Sequence, residues 1–361
     1  MTVSTRVTYA LTLVALLGTI AWLSPQPGRV TDRDIYERTA SEGVVRDCND
    51  LHCFRTLVAW TLGALPGPSV FKWRSYAVVC NAAAALMVFQ LSLTFGLSLR
   101  AAWIASLVSA FGFGALYTLH DAYTSDPLMY LLGPLMTNEL LRGRVPVAAA
   151  LGAVGVFAKE FAAAPLVLLS LYEASVRRWP AFLRTLAAAN AVFIVWAVFH
   201  LTMIIRFNYG YGGTPSTRFL SGAGLGEWLQ EQSVRGILSA MFNEFGALYV
   251  LAPAGFLLAP PSLRRLTILA APIALVFCYL QQPDRALWNF HFLVAPLGAL
   301  ALERAPLLLS GLTLAAFTIA NLRVGAQLEM VPAARFALGL SALLAIAVVV
   351  SGRLEGLHSN A

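Results

Sequence analysis

Long stretches of this chain carry no charge. No Asp, Glu, Lys or Arg occurs between Arg74 and Arg100, between Arg100 and Asp121, between Arg184 and Arg206, or between Arg304 and Arg323. A surface helix of a soluble domain needs a polar face toward water. These stretches are apolar on every face, and each is about as long as the roughly 20 residues needed to cross a bilayer. The whole chain agrees: 12% of its residues are charged and 58% are hydrophobic, and its mean hydropathy is +0.71. An ordinary soluble domain carries about 25% charged residues. An ordinary soluble enzyme, a disordered chain and a disulfide-rich secreted scaffold are all excluded. The fold class expected is all-α: a polytopic transmembrane helix bundle forming a single domain over residues 1–361, with no sizeable soluble domain.

Charge and Pro/Gly punctuation predict about twelve apolar segments, at 7–24, 75–96, 101–119, 127–141, 146–158, 161–176, 185–205, 240–260, 266–281, 287–302, 306–322 and 334–352. The pair 146–158 and 161–176 is open to a second reading as one long helix kinked at Pro165. The first segment resembles a signal-peptide core but is long for one, and is read as an uncleaved span. Twelve spans place both termini on the cytoplasmic side, probed by charge. The inside positions then hold eleven cations against four acids, and the outside positions fourteen of each. The short inside loops Arg142-Gly143-Arg144, Arg177-Arg178 and Arg264-Arg265 are basic, as the positive-inside rule requires. The expected location is a bacterial inner membrane. The net charge of +7 is an orientation signal. No basic run interleaved with aromatics points to nucleic acid.

The outside face carries the longer loops, residues 25–74 and 206–239, and loops are where binding and chemistry concentrate. Six constellations stand out there. Asp32 and Asp34 lie just past the first span, where two carboxylates suit a general base or a divalent cation; Arg33, Glu37 and Arg38 interleave with them, as in a solvated, ion-paired loop. His120-Asp121 and Asp126-Pro127 join two spans. Asp126-Pro127 also reads as a helix start, with Asp as cap and Pro at the first helical position. Lys159-Glu160 interrupts two apolar stretches, and charge at membrane depth faces a partner or a cavity. Arg285 opens a late segment that carries His291 in an apolar setting. A guanidinium there suits phosphate; snorkelling or pairing with Asp284 is the plainer alternative. The loop from Arg206 to Arg218, rich in Gly, Tyr and hydroxyls, suits a sugar or a flexible connection, and residues 225–239 suit an interfacial helix. Cys48 and Cys53 bracket His52 in the first loop. Two cysteines and one histidine fall short of a structural zinc pattern, and a local disulfide is the preferred reading. Cys80 and Cys278 fall within spans.

The order of these elements resembles that of GT-C glycosyltransferases. The resemblance rests on an Asp-x-x-x-Tyr element from Asp32 to Tyr36 after the first span, on Asp126-Pro127-Leu128 at the start of the fourth, on Lys159-Glu160 in a short helix pair, and on Arg285 before a late span containing Pro296. It implies transfer of a sugar from a polyprenyl-phosphate donor to a glycan, lipid or protein acceptor at the extracytoplasmic face. By the same resemblance Asp32 is the catalytic base, Asp34 or Asp121 assists it or helps to hold a metal, and Lys159 and Arg285 bind the departing lipid phosphate. Glu160, Asp126, His291 and Arg206 complete the candidate substrate site. A divalent cation is the one cofactor the pattern suggests. A transporter or flippase for a lipid-linked or small polar substrate is the alternative, with His291 and the Lys159-Glu160 pair on its route.

Overall fold

A computed structural model describes residues 3–24, 31–211, 224–280, 283–324, 328–329 and 333–358. The chain is built of helices: α1 (Val3–Leu23), α2 (Thr31–Glu42), α3 (Thr56–Gly63), α4 (Ser69–Thr94), α5 (Leu99–Ala110), α6 (Phe113–His120), α7 (Asp126–Leu141), α8 (Val145–Gly155), α9 (Ala164–Ser175) and α10 (Trp179–Phe207). These are followed by α11 (Leu225–Glu231), α12 (Val234–Phe245), α13 (Leu248–Leu258), α14 (Pro261–Leu280), α15 (Pro283–Trp288), α16 (His291–Glu303), α17 (Leu307–Asn321) and α18 (Ala334–His358). Single 3-10 turns lie at Leu51–Phe54 and Glu160–Ala163. The described β-structure is one antiparallel pair of two-residue strands, Arg323–Val324 with Leu328–Glu329, and one isolated bridge. The all-α expectation holds.

Among the described residues, six helical segments are long and apolar enough to cross a membrane, one of them α5 and α6 taken together, or seven if the bent pair α12 and α13 counts as one span. Val145–Gly155, His291–Glu303 and Leu307–Asn321 are apolar but shorter. Length therefore supports a multi-pass integral membrane protein and does not reach twelve full spans. Prolines explain much of the shortening. Pro127, Pro146, Pro165 and Pro180 each stand in the first turn of a helix, where a missing N–H costs nothing. Each fixes a helix start and so divides the apolar run. The expected loops also contain more structure than a loop. Residues 25–74 hold α2, a 3-10 turn, α3 and the first turn of α4, and residues 206–239 hold α11 and the start of α12.

Two hydrophobic cores run through the bundle. One joins α1, α4, α7, α8, α9 and α10 through residues such as Leu17, Ala85, Met136 and Leu166. The other joins α5, α13, α14 and α16 through residues such as Ala105, Leu251, Leu266 and Leu297. Polar contacts set the directions. Tyr76 of α4 bonds the start of α7 while Thr94 bonds Asn138 near its end, so these two helices run parallel. Ser106 of α5 donates to Ala85 of α4, holding the intervening antiparallel helix. Gly155 of α8 faces the Ala162 side chain, and Gly152 faces Leu166 of α9. The stretch 146–176 is thus two helices flanking a turn at Lys159, rather than one kinked helix.

Candidate functional site

Helix directions bring the ends of many elements together. The C-terminal ends of α1, α6, α8 and α10 meet the N-terminal ends of α4, α7 and α9 at one end of the bundle. All of these ends were expected on the outside. The basic turns expected inside pair with acids or backbone near the other ends of their helices: Arg142 and Arg144 with Glu139, Arg178 with Glu173, and Arg100 with the Ala305 carbonyl.

At the populated end, Lys159 and Asp126 form a fully buried ion pair. Lys159 also lies 5.1 Å from the centroid of the Phe161 ring. Asp126 was open to a reading as a helix cap, but the flanking residue is Ser125 and no side chain caps the helix in that sense. Instead Thr124 Oγ1 accepts from the Asp126 N–H at 3.3 Å, and the Tyr76 hydroxyl accepts from the Leu128 N–H at 3.1 Å. These side-chain oxygens take the first-turn donors, and the Asp126 carboxylate is directed to Lys159. A carboxylate in the first turn is also favoured by the helix dipole.

The second ion pair was not foreseen. Arg55 donates to Glu160 Oε1 at 2.9 Å. Burial pushes the Arg55 guanidinium down, but Glu160 and Tyr36 outweigh it and hold its pKa above the ordinary value. Burial pushes the Glu160 carboxyl up, and Arg55 and Lys159 together pull it below the usual carboxylate range. Lys159-Glu160 therefore does not neutralise itself as an isolated pair. Each residue takes a partner from a different part of the chain.

Asp32 reaches the same region through α2. Its Oδ2 lies 3.3 Å from His52 Nε2, and His52 Nδ1 lies 2.7 Å from Asp50 Oδ1. Asp50 caps the 3-10 turn, accepting from the His52 N–H at 2.8 Å. Tyr36, one turn along α2 from Asp32, is buried with its ring 5.9 Å from that of His52. Burial pushes its phenol up to about 12; Arg55 opposes this, while Asp32 and Asp126 add to it. Tyr36 thus stands within electrostatic reach of Asp32, Arg55 and Asp126 and links the two ion pairs to the candidate base. α2 is held over this end by Arg33, which stacks over Tyr123 at 4.8 Å, and by Glu37, which accepts from Ser69 at 2.9 Å.

A disulfide joins Cys48 and Cys53, as the sequence reading preferred, and closes the loop that carries Asp50 and His52. The same loop clamps the end of α10. Gly210 N–H donates to Cys48 O at 2.9 Å, and Asn208 donates to Asp47 at 2.7 Å. Phe54, the residue after Cys53, stacks on His200 of α10 at 4.5 Å and on Tyr211, just past α10, at 4.8 Å.

The remaining candidates divide. Asp34 is exposed on α2. Asp121 is buried and accepts from the Tyr117 hydroxyl at 3.4 Å. His291 is buried at the start of α16, with Nδ1 3.0 Å from Trp288 O and its ring stacked on Trp288. It has the contacts of a packed core residue. Arg206 is exposed in the last turn of α10. The side chain of Arg285 lies outside the described residues, as do positions 212–223 of the Gly/Tyr-rich loop. Among the described residues, no three His, Cys, Asp or Glu side chains form a group able to hold a metal ion.

A small apolar cavity of about 20 Å³ is lined by Met129, Leu132, Phe161, Leu168, Phe277, Phe290 and Phe292, with Asn289 as a polar member. Phe161 belongs both to the cavity wall and to the surroundings of Lys159.

No protein-family model matches the chain, and no curated protein matches it in sequence. Among solved structures it is similar to ArnT from Cupriavidus metallidurans in the apo state, with a TM-score of 0.54 and 14% identity over 97% of this chain and 76% of that one. It is also similar to the apo oligosaccharyltransferase of Archaeoglobus fulgidus, with a TM-score of 0.48 and 14% identity over 94% of this chain and 56% of that one. Both are membrane glycosyltransferases of the GT-C superfamily. At such identity the likeness to ArnT speaks to architecture alone: the chain shares the fold of that structure.

Proposed function

We propose that this protein is a glycosyltransferase that moves a sugar from a polyprenyl-phosphate donor to an acceptor at the extracytoplasmic face of a bacterial inner membrane, with both termini cytoplasmic. The observation that carries this reading is that the Arg55–Glu160 and Lys159–Asp126 ion pairs lie at the same end of the bundle as Asp32, with Tyr36 and His52 between. Asp32 takes the proton of the acceptor hydroxyl as its oxygen attacks the anomeric carbon. The bond from that carbon to the phosphate oxygen breaks, and its electron pair leaves with the lipid phosphate. Preorganised positive groups stabilise such a developing anion most where water is excluded. Arg55 and Lys159 supply that charge, each now held by a carboxylate that a phosphate would compete with. Arg285 joins them as a further phosphate ligand.

The test is incubation of the purified full-length protein with a panel of polyprenyl-phosphate sugars, following release of polyprenyl phosphate. Turnover of at least one donor, lost on Lys159→Met or Arg55→Met, is the expected result. Failure of every donor to bind or turn over contradicts the proposal.

A further inference from the structure

His52 has a placement that the transfer reaction above does not use. Its two ring nitrogens face two carboxylates from different parts of the chain, Asp32 on α2 and Asp50 at the cap of its own 3-10 turn. The side chains are only 10% exposed for His52, 18% for Asp50 and 22% for Asp32. Asp50 Oδ1 already accepts from the His52 backbone N–H, so the loop backbone and the ring are fixed by the same oxygen. An ionised carboxylate only accepts hydrogen bonds, so the 2.7 Å contact assigns a proton to Nδ1. Nε2, 3.3 Å from Asp32, is then the position at which a proton can arrive or leave. The disulfide Cys48–Cys53 closes the loop around this arrangement.

We propose that Asp50 and His52 form a relay behind Asp32, in which His52 is a positioning and proton-storing residue rather than one that touches substrate. The proposal rests on the reading of Asp32 as the base. The acceptor O–H proton passes to the Asp32 carboxylate as the new C–O bond forms, then across the Asp32–His52 contact to Nε2. The imidazolium is held between Asp32 and Asp50, and the proton leaves to water once product departs. No oxidant or further reactant is needed. Among the described residues, the Tyr36 ring of α2 lies 5.9 Å from the His52 ring, and Arg55, at the entry to α3, donates its backbone N–H to the His52 carbonyl and its guanidinium to Glu160.

The experiment uses full-length protein in nanodiscs and compares wild type with His52→Gln and Asp50→Asn. Asn keeps an oxygen that can cap the turn, so Asp50→Asn removes charge with little change to the loop. Formation of the Cys48–Cys53 disulfide, read by thiol titration, checks that each variant has folded. His52→Gln is expected to lower kcat on the order of 10²-fold, the lower range for a general acid–base group, with KM within about twofold. Asp50→Asn lowers kcat less, and the pH profile of kcat changes in both variants. Unchanged kcat and pH profile in His52→Gln overturn the relay and leave the transferase reading standing. Absence of wild-type turnover with every donor overturns that reading instead. Histidine 15N spectra then judge the geometry separately, with the His52 signals assigned by their loss in His52→Gln. A protonated Nδ1, and an Nε2 signal moved by Asp32→Asn, support the pairing. A bare Nδ1, or an Nε2 signal indifferent to Asp32→Asn, overturns it.

Discussion

At the scale of single residues, the buried Lys159–Asp126 pair has the most at stake. Removing one partner of a buried pair leaves a charge without compensation and costs about 3–5 kcal/mol, whereas removing both costs much less. Lys159→Met should therefore lower the melting temperature more than the double variant Lys159→Met/Asp126→Asn, in thermal unfolding of detergent-solubilised protein. Glu160 adds a pH dependence. Its pKa lies below the ordinary carboxylate value of 4.5 in the folded state, despite burial, because Arg55 and Lys159 favour its charged form. Such a group stabilises the fold above its unfolded pKa, and that contribution disappears as pH falls through the folded value. Glu160→Gln should thus be less stable than wild type at neutral pH, and the gap between the two should close in acid. The sequence made Asp32, Lys159, Glu160 and Asp126 visible as candidates, because charge beside apolar runs is costly and calls for a reason. It did not reveal their partners. Arg55 and His52 lie in what read as a loop, and only long-range packing brings Arg55 to Glu160 and His52 to Asp32. The available signal was the Cys48–Cys53 pair, since a disulfide within one loop fixes whatever it encloses.

At the scale of elements, small residues decide how closely helices approach. A side-chain carbon on Gly255 of α13 would lie 1.7 Å from the Leu297 carbonyl oxygen of α16, and one on Gly63 of α3 would lie 2.2 Å from the Ala40 carbonyl oxygen of α2. Neither neighbour is the end of a flexible side chain, so the helices must separate. The two substitutions should differ in what they damage. Gly255→Ala opens a core pair and should lower thermal stability, whereas Gly63→Ala displaces the helix that carries Asp32 and Tyr36 and should reduce turnover more than melting temperature. Helix starts were legible from proline positions, and the apolar runs were legible from the spacing of charge. The helix α2 was not, because a short polar helix has no apolar run to announce it. Its place depends on Tyr36, Arg33 and Glu37 meeting Trp73, Tyr123 and Ser69.

At the scale of the whole molecule, charge alternation along the chain becomes separation in space. Ends expected outside gather around the two ion pairs, and the basic turns expected inside pair with acids elsewhere. The helical membrane architecture was legible in the apolar runs, and the order of the motifs is in keeping with the likeness in fold to ArnT, while the number of full-length spans was not legible, because proline-divided helices read as complete ones. The polar cluster at one end suits the transfer of a sugar from a lipid carrier that we propose. The most direct measurement is the rate of polyprenyl-phosphate release by wild type and by Asp32→Asn, with the same donor and acceptor and with binding of donor measured alongside. The account predicts that Asp32→Asn still binds donor and releases polyprenyl phosphate at least 10²-fold more slowly, on the order expected for loss of a general base. Equal release by the two proteins would contradict it.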